Sequence, residues 1–313
     1  MIDAHVHIIV RELTREKAPA EAWRPKVVWE AGRQVVELDD RRITSAVREF
    51  VDIDTILAAE GAAGVQRVLL SPWVTLLRYD ATAEEGLRIS RIQNAALSTL
   101  AQRYPDRIKT LGTVPLQEPA LAASELEALM GLPGVRGVEV AASVRGAPLG
   151  DDRFRPFWEI AESTGALVFV HPTTRGFDVS ALNDYYLWNT IGNPLETTIA
   201  AAHLVMAGVM ERHLRLKVLL AHAGGALLSL RGRLRHAHSF QPQARSRLRE
   251  TTDESLRRFY FDTVTHDAAV LRNVVEFAGP DHVLMGSDYP FDMGAEEAAI
   301  LGGNAARLLG WEG

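Results

Sequence analysis

Short apolar runs rich in Val, Ile and Leu recur along the whole chain, and stretches with the spacing of amphipathic helices separate them. Eight runs read as strands: Ile2 to Ile8, Val65 to Ser71, Ile108 to Pro115, Val135 to Ala141, Leu167 to His171, Lys217 to His222, Phe259 to Val264 and Val283 to Asp288. Helices are predicted between them over Asp54 to Ala63, Ile89 to Arg103, Pro119 to Met130, Phe154 to Ser163, Glu196 to Met210 and Ala268 to Ala278. Strands buried on both faces and joined by crossover helices make parallel sheets. Eight such repeats in 313 residues predict an α/β chain folded as one closed (β/α)8 (TIM) barrel over 1–313. A doubly wound open sheet is the rival, but no Gly-x-Gly-x-x-Gly follows the first strand, which carries His, Val, His instead.

Two connections exceed what a barrel needs. Within an insertion over about 10–50, Lys26 to Glu30 and Gln34 to Leu38 read as two strands around Ala31-Gly32, a β-hairpin above the barrel mouth. The second runs from Pro172 to Leu195 and carries Arg175, Tyr185, Tyr186 and Trp188. Loops that follow strands lie at the catalytic end of a barrel, so both should border the substrate cavity.

The polar residues of the strands carry the chemistry. Asp3-Ala-His5-Val-His7 puts two imidazoles at i and i+2, on one face of a strand, which in a barrel is the interior. Buried ring nitrogens need partners, and a divalent cation serves two rings at once. His171, His222 and Asp288 each stand where an apolar run stops, at the carboxyl end of its strand. Any one of them alone reads equally well as a cap or a hydrogen-bonded core residue; three strands ending this way point to a site. His5, His7, His171 and Asp288 form a nitrogen and oxygen shell suited to zinc, with manganese as the alternative. His222 is left to move protons, or to hydrogen-bond the shell from behind. His203 and His213 read as surface or packing residues, and His236 and His238 as part of a solvated helix. His266 follows the seventh strand, from which it can reach the pocket, while His282 precedes the eighth, at the far end.

Composition narrows the partners. The 34 basic and 40 acidic residues leave a net charge of −6, which argues against a nucleic-acid groove or an anionic membrane surface and for a small molecule. There is no cysteine, so any metal must sit on His, Asp and Glu. No apolar run is long enough to span a membrane and nothing reads as a targeting segment, so a cytoplasmic enzyme is the expectation.

Asp-x-His-x-His at the start, Val-His-Pro near the middle, Ala-His-Ala-Gly-Gly, then Gly286-Ser-Asp-Tyr-Pro-Phe291 and Gly303-Asn-Ala-Ala-Arg307 resemble the metal-dependent amidohydrolase superfamily. The likeness is closest to the branch named for aminocarboxymuconate semialdehyde decarboxylase, which also holds resorcylate-type decarboxylases and some hydrolases. It implies a (β/α)8 barrel, one divalent metal on His5, His7, His171 and Asp288, and a catalytic histidine at His222. Binuclear relatives use a carboxylated lysine on the fourth strand; Val135 to Ala141 has none, which favours one metal.

The resemblance also implies a carboxylate substrate held by arginines. Arg233 matches one that reaches across from a second subunit, hence a homodimer; Arg42, or Arg41, matches another; Trp188 falls in the aromatic loop lining the pocket. For Arg41 and Arg42 a surface salt bridge is the competing role. Only eleven residues separate Asp288 from Ile300, fewer than the family pattern has, which predicts a more open mouth. The function implied is decarboxylation of an aromatic or muconate-type acid, with His222 and Asp288 handling protons. Hydrolysis of a lactone, amide or related bond is the alternative that the same shell would serve.

Overall fold

A computed structural model describes residues 1–14, 23–31, 33–38, 41–43, 50–173, 179–291, 293–294 and 302–310. In chain order the strands are β1 (Ile2–Ile8), β2 (Lys26–Glu30), β3 (Arg33–Leu38), β4 (Arg41–Ile43), β5 (Arg67–Pro72), β6 (Ile108–Gly112), β7 (Val135–Ala141), β8 (Ser143–Val144), β9 (Ala147–Pro148), β10 (Leu167–His171), β11 (Lys217–Leu220) and β12 (Tyr260–Phe261). Seven of them form one parallel, curled sheet in the order β1-β5-β6-β7-β10-β11-β12. Successive residues of a strand go to different cores: Leu167 and Phe169 pack with Leu69, Leu111, Leu219 and Leu284, whereas Val168 and Val170 join the larger cluster with Val138, Val218 and the helices. This two-sided burial explains why the runs read as continuously apolar.

Residues 283–289 stand where an eighth strand is predicted but form no continuous ladder. Single parallel bridges link Val283 to Phe261 and Tyr289 to Val6, so the segment touches both edges of the sheet. Its backbone completes the contact through Leu284 N to Phe261 O at 2.8 Å, Ala4 N to Met285 O at 2.8 Å and His7 N to Tyr289 O at 2.8 Å. The strand predicted over Lys217 to His222 stops at Leu220 because His222 and Ala223 turn left-handed, at φ 55 and 52. That over Phe259 to Val264 shortens to Tyr260–Phe261, beyond which the Asp262 side chain takes up backbone N–H groups.

The helices α1 (Ile53–Ala62), α2 (Ala83–Arg103), α3 (Pro119–Met130), α4 (Arg155–Thr164), α5 (Asn193–Met206), α6 (Val209–Arg212), α7 (Leu227–Phe240), α8 (Thr252–Leu256), α9 (Ala268–Ala278) and α10 (Gly302–Leu309) alternate with the strands. α2 starts six residues before the predicted Ile89 because Thr82 and Glu85 form a capping box. The helix predicted over Glu196 to Met210 splits at Gly208, whose φ of 70 ends α5 and opens α6. β2, β3 and β4 make a separate antiparallel sheet; the two predicted strands are there, with Arg41–Ile43 as an unpredicted third. Arg175, Gly32, Ile300 and the Arg41 side chain lie outside the described residues. Among those described, no helix is long and apolar enough to cross a membrane.

Candidate active site

The carboxyl ends of the parallel strands bring His5, His7, His171 and Asp288 together, with one ligand-type atom of each lying within 4.8 Å of all the others. All four are buried. Their hydrogen bonds fix which ring nitrogen carries the proton. A carbonyl or carboxylate oxygen only accepts from a neutral imidazole, so Nδ1 of His7 donates to Pro72 O at 3.2 Å and Nδ1 of His171 to Pro172 O at 2.9 Å. Nδ1 of His5 donates to Asp262 at 2.7 Å.

Three Nε2 lone pairs therefore face inward, with Nε2 of His5 and His7 only 3.0 Å apart. Asp288 Oδ1 adds another, 3.1 Å from His5 Nε2 and 3.3 Å from His7 Nε2. His171 Nε2 has no hydrogen-bond partner among the described residues. Four lone-pair donors converging in this way repel unless a cation, a proton or a metal ion, sits among them, and this donor set fits one divalent metal. The electrostatics agree. Burial opposes charge on His5, yet Asp288 and Asp262 outweigh it and push the ring up to about 10, so a positive charge is stabilised at Nε2. Asp288 is held well below the carboxylate range; burial opposes this, but the nearness of His5, His222 and His7 prevails. Burial and the neighbouring rings keep His171 far below its ordinary value, hence neutral and able to ligate.

Asp262 organises the wall behind these residues. Besides His5 it accepts from His222 N at 2.9 Å, Ala223 N at 2.7 Å and Val264 N at 3.2 Å, which holds the left-handed turn after β11. Gly286 lets the eighth segment pass close by: a Cβ there would meet His5 Cβ at 2.8 Å and Asp262 Cβ at 3.0 Å. At Gly225, φ is 63 and a side chain would strike Pro194 O at 2.1 Å, so glycine alone lets the His222 loop press onto α5. Asp3 braces the site from below, accepting from His5 N and Ser287 N at 2.9 and 3.1 Å, while burial lifts its carboxyl to about 6.

A cavity of about 320 Å³ opens beside the centre, lined among others by His222, Asp288, His266, Asn189, Asn193 and Thr265. The two oxygens of Asp288 divide the work, since Oδ2 lies 3.3 Å from His222 Nε2 while Oδ1 faces His5 and His7. His222, His266 and Asp288 share a left-handed backbone, φ 55, 53 and 62, unusual for residues with a Cβ and common where function outweighs strain.

The remaining sequence candidates lie elsewhere. Arg42 sits on β4, paired with Glu30 and, at 3.2 Å, with Glu37. Arg233 is exposed on α7 beside Leu230, His236 and Phe240, with no ion-pair partner among the described residues. Trp188 is half-buried in the turn before α5, packed edge-on against Tyr186 at 4.9 Å, and its neighbours Asn189 and Thr190 line the cavity. His213 pairs with Glu162 at 3.1 Å, and His282 stacks on Tyr260. Asp262 and Glu139 are site residues that motif reading passes over. Asp262 begins the loop after a strand, and Glu139 lies within an apolar run; in both cases a carboxylate in a buried strand is the signal.

The amidohydrolase family model matches residues 2–298. The 2-amino-3-carboxymuconate-6-semialdehyde decarboxylase of Dictyostelium discoideum is 27% identical over 99% of this chain and 91% of its own length. Among solved structures, the Metarhizium anisopliae IDCase superposes with a TM-score of 0.84 at 22% identity, covering 100% of this chain and 97% of that one. A Novosphingobium aromaticivorans 5-carboxyvanillate decarboxylase, solved with manganese, gives a TM-score of 0.79 at 17% identity over 99% and 95%. With the motifs at the strand ends and the family match spanning nearly its whole length, this chain belongs to the amidohydrolase family.

Proposed function

We propose that this protein is a metal-dependent carboxy-lyase that releases carbon dioxide from an aromatic or muconate-type acid. The observation that carries this reading is the convergence of four lone-pair donors beside His222 at one cavity, in a chain similar over 99% of its length to such a decarboxylase. The bridges from residues 283–289 to both sheet edges support a closed (β/α)8 barrel. His5, His7, His171 and Asp288 are the residues that would hold one zinc or manganese ion, which when bound supplies a Lewis acid for a substrate oxygen.

The chain's own residues handle the proton. His222, in its protonated form with Asp288 Oδ2 as counter-charge, gives its proton to the ring or chain carbon that carries the carboxylate. The new C–H bond is made with a π electron pair of the substrate; the carbon–carbon bond then breaks, its electron pair restores the π system, and carbon dioxide leaves. Solvent entering the cavity returns a proton to His222. Asn189, Asn193 and Thr265 line the walls with hydrogen-bonding groups, and the loop of Trp188 borders them. Arg233, exposed and without an ion-pair partner among the described residues, fits a residue that grips the carboxylate in a partner's pocket within a homodimer. Arg42 already faces two glutamates, which leaves it a lesser share of that task.

Turnover of 2,6-dihydroxybenzoate, 5-carboxyvanillate and 2-amino-3-carboxymuconate 6-semialdehyde tests the reaction. Carbon dioxide release from one of them by the metal-loaded protein is the expected result. Solvent oxygen incorporated into a product with unchanged carbon count would replace the reading with hydrolysis.

A further inference from the structure

Glu139 is the buried acid that this chemistry leaves unused. Its side chain on β7 is wholly buried, and neither oxygen has a hydrogen-bond partner among the described residues. Asp262, behind the neighbouring ring, shows what a settled buried carboxylate looks like: it accepts from one imidazole and three backbone N–H groups. Glu139 has none of these backbone partners; the His7 ring and the Ser71 hydroxyl beside it are what favour its charged form. Among the described residues no Lys or Arg forms an ion pair with it, and the charged-type group facing it is His7, with Oε2 at 3.7 Å from Nδ1. His7 does not need it as an acceptor, because Ser71 Oγ at 3.1 Å and Pro72 O at 3.2 Å already stand at Nδ1.

Taking a carboxylate out of water with so few partners is strongly unfavourable, so its charged form is favoured only where a positive charge lies nearby. The centre that gathers four lone pairs lies on the other side of the same ring, whose Nε2 is 3.3 Å from Asp288 Oδ1. We infer that Glu139 is a positioning residue whose negative charge, acting through the His7 ring, strengthens the hold of the four-residue centre on a dipositive ion. A negative group behind an imidazole raises the electron density at the far nitrogen, and in a poorly screened interior it also attracts the ion directly. The inference rests on reading His5, His7, His171 and Asp288 as the ligands, and it gives the two states of the protein opposite needs. Without metal the charge of Glu139 is a burden; with metal it is an asset.

Glu139→Gln keeps the shape and removes the charge. Protein stripped with a chelator is titrated with zinc or manganese alone, and the melting temperature is followed before and after loading. The dissociation constant of the metal should rise by about 10- to 100-fold. The metal-free variant should melt no lower than metal-free wild type, and the rise in melting temperature on loading should shrink. Glu139→Asp, which keeps the charge, should recover most of the affinity. An unchanged metal affinity in Glu139→Gln would overturn the inference, and so would a metal-free variant that is destabilised or unfolded, since the acid would then serve the fold. Wild-type protein that takes up no metal would overturn the ligand reading and this role together, whereas normal wild-type affinity with an unaffected variant removes Glu139 alone.

Discussion

Between β7 and β10 the parallel ladder runs without a break from Gly137 opposite Leu167 to Ala141 opposite His171. Across β12 and residues 283–289 it shrinks to single bridges, and side chains take over the hydrogen bonding. Thr263 exchanges hydrogen bonds with Gly286, Asp262 gathers three amides, and His222, Ala223, His266 and Asp288 leave the extended region altogether. The regular side holds shape, with one ligand-type residue, His171, at its tip. The broken side aims side chains, because a residue released from the pleat can point along the strand direction into the cavity instead of across the sheet. Irregularity here marks the working wall.

The sharpest break of this contrast is at the tip of the regular side. His171→Ala should leave the β7–β10 ladder and the melting temperature of the metal-free chain almost unchanged, yet metal content after purification should fall from near one equivalent to below about one tenth, taking activity with it. Elemental analysis decides it, and full metal retention would remove His171 from the shell. On the broken side, Asp262→Ala should damage both fold and centre. It strands the amides of His222, Ala223 and Val264 and frees the His5 ring, each lost buried hydrogen bond costing about 1–3 kcal/mol. Chemical denaturation together with metal titration should show both losses; a variant that loses metal alone would mean the loop holds itself.

The same contrast decides what was legible in the sequence. Ile2–Ile8, Val135–Ala141 and Leu167–His171 match the structure residue for residue, because hydrophobic runs and regular ladders are the same physical fact. His5, His7, His171, His222 and Asp288 were readable because each ends or punctuates such a run. Where the backbone turns left-handed after Leu220, or the ladder gives way to Asp262, no periodicity records it, and the strand ends are misplaced by several residues. Asp262 and Glu139 escaped for a related reason: their partners are contributed by strands far away in the chain, at β1 and the loop after β11. The ion pairs of Arg42 depend on which residues of β2 and β3 face it, and that register is not written in the motif.

A substitution in the body of the regular side should show the opposite signature to Asp262→Ala. Leu167 is 1% exposed in the inner cluster with Phe169 and Leu219. Leu167→Ala leaves a cavity and should cost about 2–5 kcal/mol of stability, with kcat and metal affinity nearly unchanged at temperatures where the protein stays folded. Loss of kcat out of proportion to stability would show that the strand body positions chemistry too.

The smallest expected effect concerns Glu60, on α1 between β1 and β5, where regular structure buries an acid 4% exposed. Burial, reinforced by Asp3 and only partly relieved by Arg107, lifts its carboxyl from 4.5 to about 8. The folded chain thus binds this proton more tightly than the unfolded chain does. The contribution to stability is fully present below pH 4.5 and is lost as pH rises through about 8. Wild-type melting temperature should accordingly decline across that window more steeply than that of Glu60→Gln, whose amide cannot ionise. Turnover of the metal-loaded variant, measured where both proteins are folded, should match wild type, since Glu60 faces neither the cavity nor the ligand cluster. Parallel melting curves against pH would show that Glu60 finds a compensating partner, and a changed turnover would extend the working wall to α1.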